Sequence, residues 1–167
     1  MSKMNSQEAN KLLNKINSQI KSLEAIESMS STFIAATIEN VEDVRPEYNF
    51  WKVRNEITIL QEKVRKIKHA INLFNVSTEL PGMSITIDQA LIFMPQLTSN
   101  LYKLEAMKTK LPKERIHSSS GNIIDYKYAN YDIKDAEEEY EATSDMLAKL
   151  QNAMNIVNST IEFDIPD

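Results

Sequence analysis

The sequence predicts a mainly α protein, a four-helix bundle of paired long hairpins with a small β-hairpin or short sheet at one end. Three observations carry this. Apolar residues recur in alternating steps of four and three along three stretches. The clearest is Val53, Ile57, Leu60, Val64, Ile67, Ile71, Phe74; the others are Ala136, Tyr140, Thr143, Leu147, Leu150, Met154, Val157 and Ile87, Ala90, Met94, Leu97, Leu101, Leu104. That spacing is the narrow apolar seam of a helix packed lengthwise on another. Only 2 glycines interrupt a chain rich in charged and amide residues, which favours helix over sheet. Third, each half of the chain reads as a helix, a mixed loop with β-prone residues, and a longer helix.

The elements follow in order, within one expected domain spanning 1–167. The first helix, about 6–31, opens near Ser6 with Asn5 or Ser6 as its cap, and carries Leu13, Ile16, Ile20 and Leu23 on its stripe; Ser28, Ser30 and Ser31 weaken its end. The segment 33–38 is β-prone and reads as a short strand, followed by an acidic loop. Pro46 suits a helix's first position, so the second helix is placed at 46–76. Such a rod is about 45 Å long and needs an equally long partner. Pro81-Gly82 breaks the chain, and Thr86 with Gln89 forms a capping box for a third helix, 86–111, which Pro95 should kink. The β-prone stretches 114–118 and 122–128, joined through Ser119-Ser120-Gly121, read as a hairpin. The fourth helix, 132–158, is capped by Asp132, and 159–167 reads as a tail.

Two helix ends look alike. Residues 70–79 and 153–162 both run Ala, apolar, Asn, apolar, apolar, Asn, with Glu closing each. The chain therefore reads as two hairpins related by a rough repeat, with chance likeness of two helix ends as the alternative. Asn72, Asn75, Asn155 and Asn158 are the candidate polar cluster at the bundle end. As structure they close helices, since Asn tolerates the left-handed conformation and bonds terminal carbonyls. As function they would grip a ligand or set the register of another chain.

These helix ends, with their surroundings, resemble the septicolysin-like family of small bacterial proteins, mostly of unknown function. The likeness rests on three blocks: 70–91, which includes Ile85-Thr86-Ile87-Asp88-Gln89-Ala90-Leu91; 120–133; and the closing Asn158-Ser159-Thr160-Ile161-Glu162. The resemblance implies a mostly helical, oligomeric, cytoplasmic protein. The thiol-dependent haemolysis in the family's name is not carried over, because the chain has no Cys.

Composition excludes several functions. The net charge of −5 argues against general nucleic-acid binding. The apolar runs are too short to span a bilayer, and the polar N-terminal ten residues carry no secretion signal, which points to the cytoplasm. Without Cys there is no thiolate nucleophile or metal site. His69 lies on a basic face, and His117 forms a lone Glu-x-x-His with Glu114, beside Ser118, Ser119 and Ser120. Di-metal bundles need two such elements on facing helices, so no metal or cofactor is expected. Tyr126, Tyr128 and Tyr131 with Tyr48, Phe50 and Trp51 are a candidate aromatic cluster. Lys63, Arg65, Lys66 and Lys68 form a basic block, and Glu137, Glu138 and Glu139 an acidic one. In an up-down bundle these blocks stand at opposite ends of one chain, but an antiparallel contact between two copies joins them.

The expected function is a non-catalytic, homo-oligomeric structural or interaction protein, with a further protein partner left open. The alternatives are an enzyme or small-ligand binder, using the Asn pairs, His117, Asp125 and the tyrosines at the bundle end, and membrane-surface action through the basic face of the second helix.

Overall fold

The computed structural model describes residues 2–116 and 124–166. Its elements are β1 (Ser2–Asn5), α1 (Ser6–Ser30), α2 (Val41–Val44), α3 (Phe50–Ser77), α4 (Ile87–Lys108), β2 (Lys113–Ile116), β3 (Asp125–Tyr128), α5 (Ile133–Thr160) and β4 (Glu162–Ile165). The protein is mainly α with two small antiparallel two-stranded sheets, β1 with β4 and β2 with β3. It divides into two compact units. Unit 1 comprises Met1–Asn75 with Asn158–Asp167, and unit 2 comprises Val76–Val157.

In unit 1, α1 and α3 bury their seams in one core. Ala9, Leu13, Ile16 and Ile20 from α1 meet Val53, Ile57 and Ile67 from α3, and Ile165 of β4 completes the cluster. Leu60 and Val64, in the same seam, are partly buried against it. The ladder under this core pairs Ser2 with Ile165 and Asn5 with Glu162. Phe163 stacks on Phe74, ring centroids 4.3 Å apart, so the strand is held by its side chains as well as its backbone. Asn5 does two jobs where strand becomes helix. Its Oδ1 accepts from the Glu8 N–H at 3.0 Å while Glu8 accepts from the Asn5 N–H at 3.0 Å, and its Nδ2 donates to the Ser159 carbonyl. Asn5→Ala should therefore lower stability by about 1–2 kcal/mol, at the upper end for a cap, read as a shift in the urea midpoint with the slope unchanged.

In unit 2, the buried residues of α4 are Ile87, Ala90 and Leu97, and those of α5 include Ala136, Thr143, Leu150, Ala153, Met154 and Val157. The turn into α4 is stitched by two backbone bonds, Leu80 N–H to Ile85 O and Ile87 N–H to Thr78 O, both 3.0 Å, flanking the bridge between Glu79 and Thr86. Gly82 takes φ +71 in this turn, a conformation that costs a side chain about 1 kcal/mol. At the other end, the Tyr131 hydroxyl donates to the Met107 carbonyl at 2.8 Å, and Lys108 Nζ lies 3.5 Å from the Tyr140 ring centroid and 3.0 Å from Glu105. The hydrogen bond from Lys108 holds the Glu105 carboxyl below its ordinary range, against the opposing effect of desolvation.

The two units are built on one plan. A single offset lays α3 on α5 along all 28 residues, Phe50 on Ile133 and Ser77 on Thr160. It places buried residue on buried residue: Val53 on Ala136, Ile67 on Leu150, Phe74 on Val157. A second offset lays Asn5 on Thr86, Glu8 on Gln89, Ala9 on Ala90 and Ile16 on Leu97, so both capping boxes coincide. The two offsets carry the Asn5–Glu162 pair of β1 and β4 onto the Thr86–Glu79 bridge. In both units, the residue that caps the shorter helix pairs with a Glu that follows a long one.

Several expectations are corrected. The segment 33–38 forms no strand: residues 33–36 have no regular structure, and Ile34 and Ile38 are 95% and 96% exposed. A β-prone run without a neighbouring edge has nothing to ladder with. The one-turn α2, capped by Asn40, lies just beyond it. The second helix starts at Phe50 rather than 46, because Asn49 Oδ1 accepts from the Lys52 N–H and takes the capping place. The third helix stops at Lys108, with Thr109 as its cap. Pro95 lies inside it, at an exposed position. The expected tail holds β4, and the polar N-terminal segment holds β1. The hairpin is real, in register Lys113 with Tyr128 and Ile116 with Asp125, but its expected tip at Ser119-Ser120-Gly121 lies outside the described residues.

Candidate functional site

The feature that stands out is the end of unit 1 where α1 gives way to α3. Met29 is 80% exposed, Ile34 95%, Ile38 96% and Trp51 71%, and Phe50, Ile26, Val41 and Val44 are exposed around them. Their position follows from local rules. α1 ends at Ser30, where the Ser31 N–H donates to the Glu27 carbonyl, and Asn40 and Asn49 each cap a new helix start. The residues between run outside the seam and have no core to enter. Phe50 and Trp51 meet edge to face at 5.2 Å.

Beneath this apolar end lies a polar layer. Arg54 pairs with Glu27 at 3.3 Å, tying α3 to α1. The Tyr48 phenol is pushed up from its ordinary pKa, first by burial and then by the Glu27 carboxylate. Arg45 pairs with Glu42 at 2.7 Å and lies 5.2 Å from the Phe33 ring centroid, which anchors the loop. Its hydrogen bond and charge depress the Glu42 carboxyl. The acids Glu39, Glu42, Asp43 and Glu47 are exposed in the same stretch of chain as the apolar residues, with Arg45 among them.

The residues singled out in the sequence are placed as follows. Asn72 and Asn155 are exposed, and Asn75 and Asn158 are half-buried, so the four amides match in pairs under the repeat. Asn72, Asn75 and Asn158 belong to unit 1 and Asn155 to unit 2. Lys63, Arg65, Lys66 and Lys68 are exposed on α3; Lys66 pairs with Glu62 at 3.2 Å. Glu137, Glu138 and Glu139 are exposed in the early turns of α5. His69 is exposed, and His117 with Ser118, Ser119 and Ser120 lies outside the described residues. Among the described residues, no group of three or more His, Cys, Asp or Glu could hold a metal ion. The aromatic set divides between the units: Tyr48, Phe50 and Trp51 in unit 1, and Tyr126, Tyr128 and Tyr131 in unit 2. Tyr126 and Tyr128 share a strand face 6.4 Å apart, with Lys113 Nζ 4.0 Å from the first ring centroid.

The exposed loop residues were hidden from sequence reading because their β-prone composition suggested a strand. The signal was present in a different form: Ile34 and Ile38 lie outside every seam register.

These features define a mainly α protein of two like helical hairpins with an apolar surface at the end of one of them. No helix among the described residues is long and apolar enough to cross a membrane. No family model and no curated protein matches the chain. Among solved structures, it is similar to a functionally unknown conserved protein from Corynebacterium diphtheriae, at 15% identity and TM-score 0.60, over 98% of this chain and 100% of that one. At that identity the likeness shows a shared fold.

Proposed function

We propose that this chain is a helical self-assembly and interaction protein of the cytoplasm, akin to the septicolysin-like proteins it resembles, whose copies meet through the exposed end of unit 1. The observation that carries this is the group Met29, Ile34, Ile38 and Trp51, each more than two-thirds exposed. Scattered apolar residues on a surface are ordinary, but these fall in one stretch from the end of α1 to the start of α3, and exposed apolar residues grouped in this way suit a place of association. The acids in that stretch, Glu39, Glu42, Asp43 and Glu47, oppose an anionic membrane and suit a basic partner surface. The block Lys63, Arg65, Lys66 and Lys68 supplies one on a second copy, and in the same assembly it would face Glu137, Glu138 and Glu139 of its neighbour.

The test is the mass of the full-length chain in solution, by light scattering or sedimentation, over a range of concentration and salt. A defined oligomer is expected, dispersed by Ile34→Ser with Trp51→Ser. Such exposed substitutions should change monomer stability by no more than about 0.5 kcal/mol. If charge blocks add to the contact, Lys66→Glu with Arg65→Glu should weaken it at low salt, and Glu137→Lys with Glu138→Lys should restore it. A monomer under every condition overturns the reading.

A further inference from the structure

A half-enclosed cavity of about 260 Å³ opens within unit 1, between α1, α3 and the end of β4. Its floor is apolar and firmly buried: Ile16, Ile67 and Ile165 are 6%, 2% and 1% exposed. Its rim is cationic. Lys15 comes from α1 and Lys63 from α3, with the Gln19 amide also lining the space, and among the described residues no carboxylate lines it. In a chain of net charge −5, two cations and, among the described residues, no anion around one apolar hollow is a local reversal of sign. Among the described residues, neither ammonium group forms an ion pair with a carboxylate, whereas Lys66, Lys108, Arg45 and Arg54 each do.

The internal repeat supplies a control. The floor is kept between the two units, Ile16 lying on Leu97 and Ile67 on Leu150, all buried. The rim is not kept: Lys15 lies on Gln96 and Lys63 on Met146. The hairpin plan therefore needs the floor but does not need the lysines.

We infer that this cavity binds a small organic monoanion with an apolar body, of the class of medium-chain carboxylates. The tail would lie on the three isoleucines, and the carboxylate would reach the two ammonium groups and the Gln19 amide. The size fits: a closed apolar cavity of about 150 Å³ accepts benzene, so this one admits a chain of about eight to ten carbons. Lys63 is shared with the basic block of the self-assembly proposal, so Lys15, which belongs to neither the exposed end nor the charge blocks, is the position that separates the two readings.

The probe is decanoate below its micellar concentration, with decanol and decylammonium as neutral and cationic matches, added to the full-length chain. Binding is read by calorimetry and by isoleucine methyl NMR. Decanoate should shift the methyl signals of Ile16, Ile67 and Ile165 saturably and bind about tenfold more tightly than decanol. Lys15→Ala should weaken it several-fold without changing the chain's mass in solution. Because both lysines are exposed, Lys15→Glu with Lys63→Glu should fold and reverse the preference toward decylammonium. Equal affinity for the three head groups, absence of saturable binding, or unchanged head-group preference in the double variant overturns the inference.

Discussion

Leu150→Ala should destabilise unit 2 by about 2–5 kcal/mol, the loss expected when a buried Leu leaves a void that its neighbours cannot fill. Leu150 is fully buried on α5, at 0% exposure, and sits in the middle of the seam. Its equivalent in unit 1 is Ile67, 2% exposed, and Ile67→Ala should cost a similar amount there. Global unfolding of a chain with two units can depart from two-state behaviour, so hydrogen exchange resolved by residue is the better readout. Leu150→Ala should lower protection first along α4 and α5, and Ile67→Ala first along α1 and α3. Tyr102→Ala, at a site 82% exposed, is the control and should change stability by no more than about 0.5 kcal/mol. A loss below about 1 kcal/mol at both buried positions would contradict the seam as the main source of stability.

The second large effect is expected at Ile165→Asp. Ile165 is 1% exposed and closes the unit 1 core from below, opposite Ser2. A carboxylate cannot stay charged in that setting without a partner. The cost is limited, however, because β4 has a cheaper response than burying the charge: it leaves. The loss should therefore equal the free energy of docking the strand, the burial of Ile165 plus the stacking of Phe163 on Phe74, about 3 kcal/mol. Amide protection should vanish at Met4 and Phe163 while the centre of α5 keeps its own. Crystals or spectra of the variant showing β4 still in register, with the new carboxylate buried and charged, would refute this account. The sign with pH is fixed as well. Burial raises the pKa of the new carboxyl, so docking of the strand should recover as pH falls through that raised value and the group becomes neutral.

The long helices were legible because a seam is a periodic signal and the periodicity survives packing: Ile57, Ile67, Leu150 and Val157, all picked by spacing, are all buried at 2% or less. Both capping boxes were legible in part, since Asn5 and Thr86 stand directly before apolar-periodic runs. Strands were legible only where two β-prone stretches lie close together, as in β2 and β3. The β1–β4 ladder was missed because its halves lie at opposite ends of the chain. Glu162-Phe163-Asp164-Ile165 does alternate polar and apolar, which is the signal a tail would lack. The error at 33–38 has the opposite cause: strong local preference with no partner. Association surfaces and cavities depend on what surrounds a residue, so neither the exposed end of unit 1 nor the cavity between α1 and α3 could be read from spacing.

The closing of unit 1 by β4 has a consequence for synthesis. Val76–Val157 is one uninterrupted stretch and meets its own partners as it leaves the ribosome, whereas Met1–Asn75 is made first and must wait for Asn158–Asp167. Joining Asn5 to Glu162 rather than Thr86 to Glu79 raises the loop-closure cost by roughly 3 kcal/mol for the longer intervening chain. The half of the protein translated first is the half whose sheet is finished last, and until then the floor that Ile165 completes stays open to water.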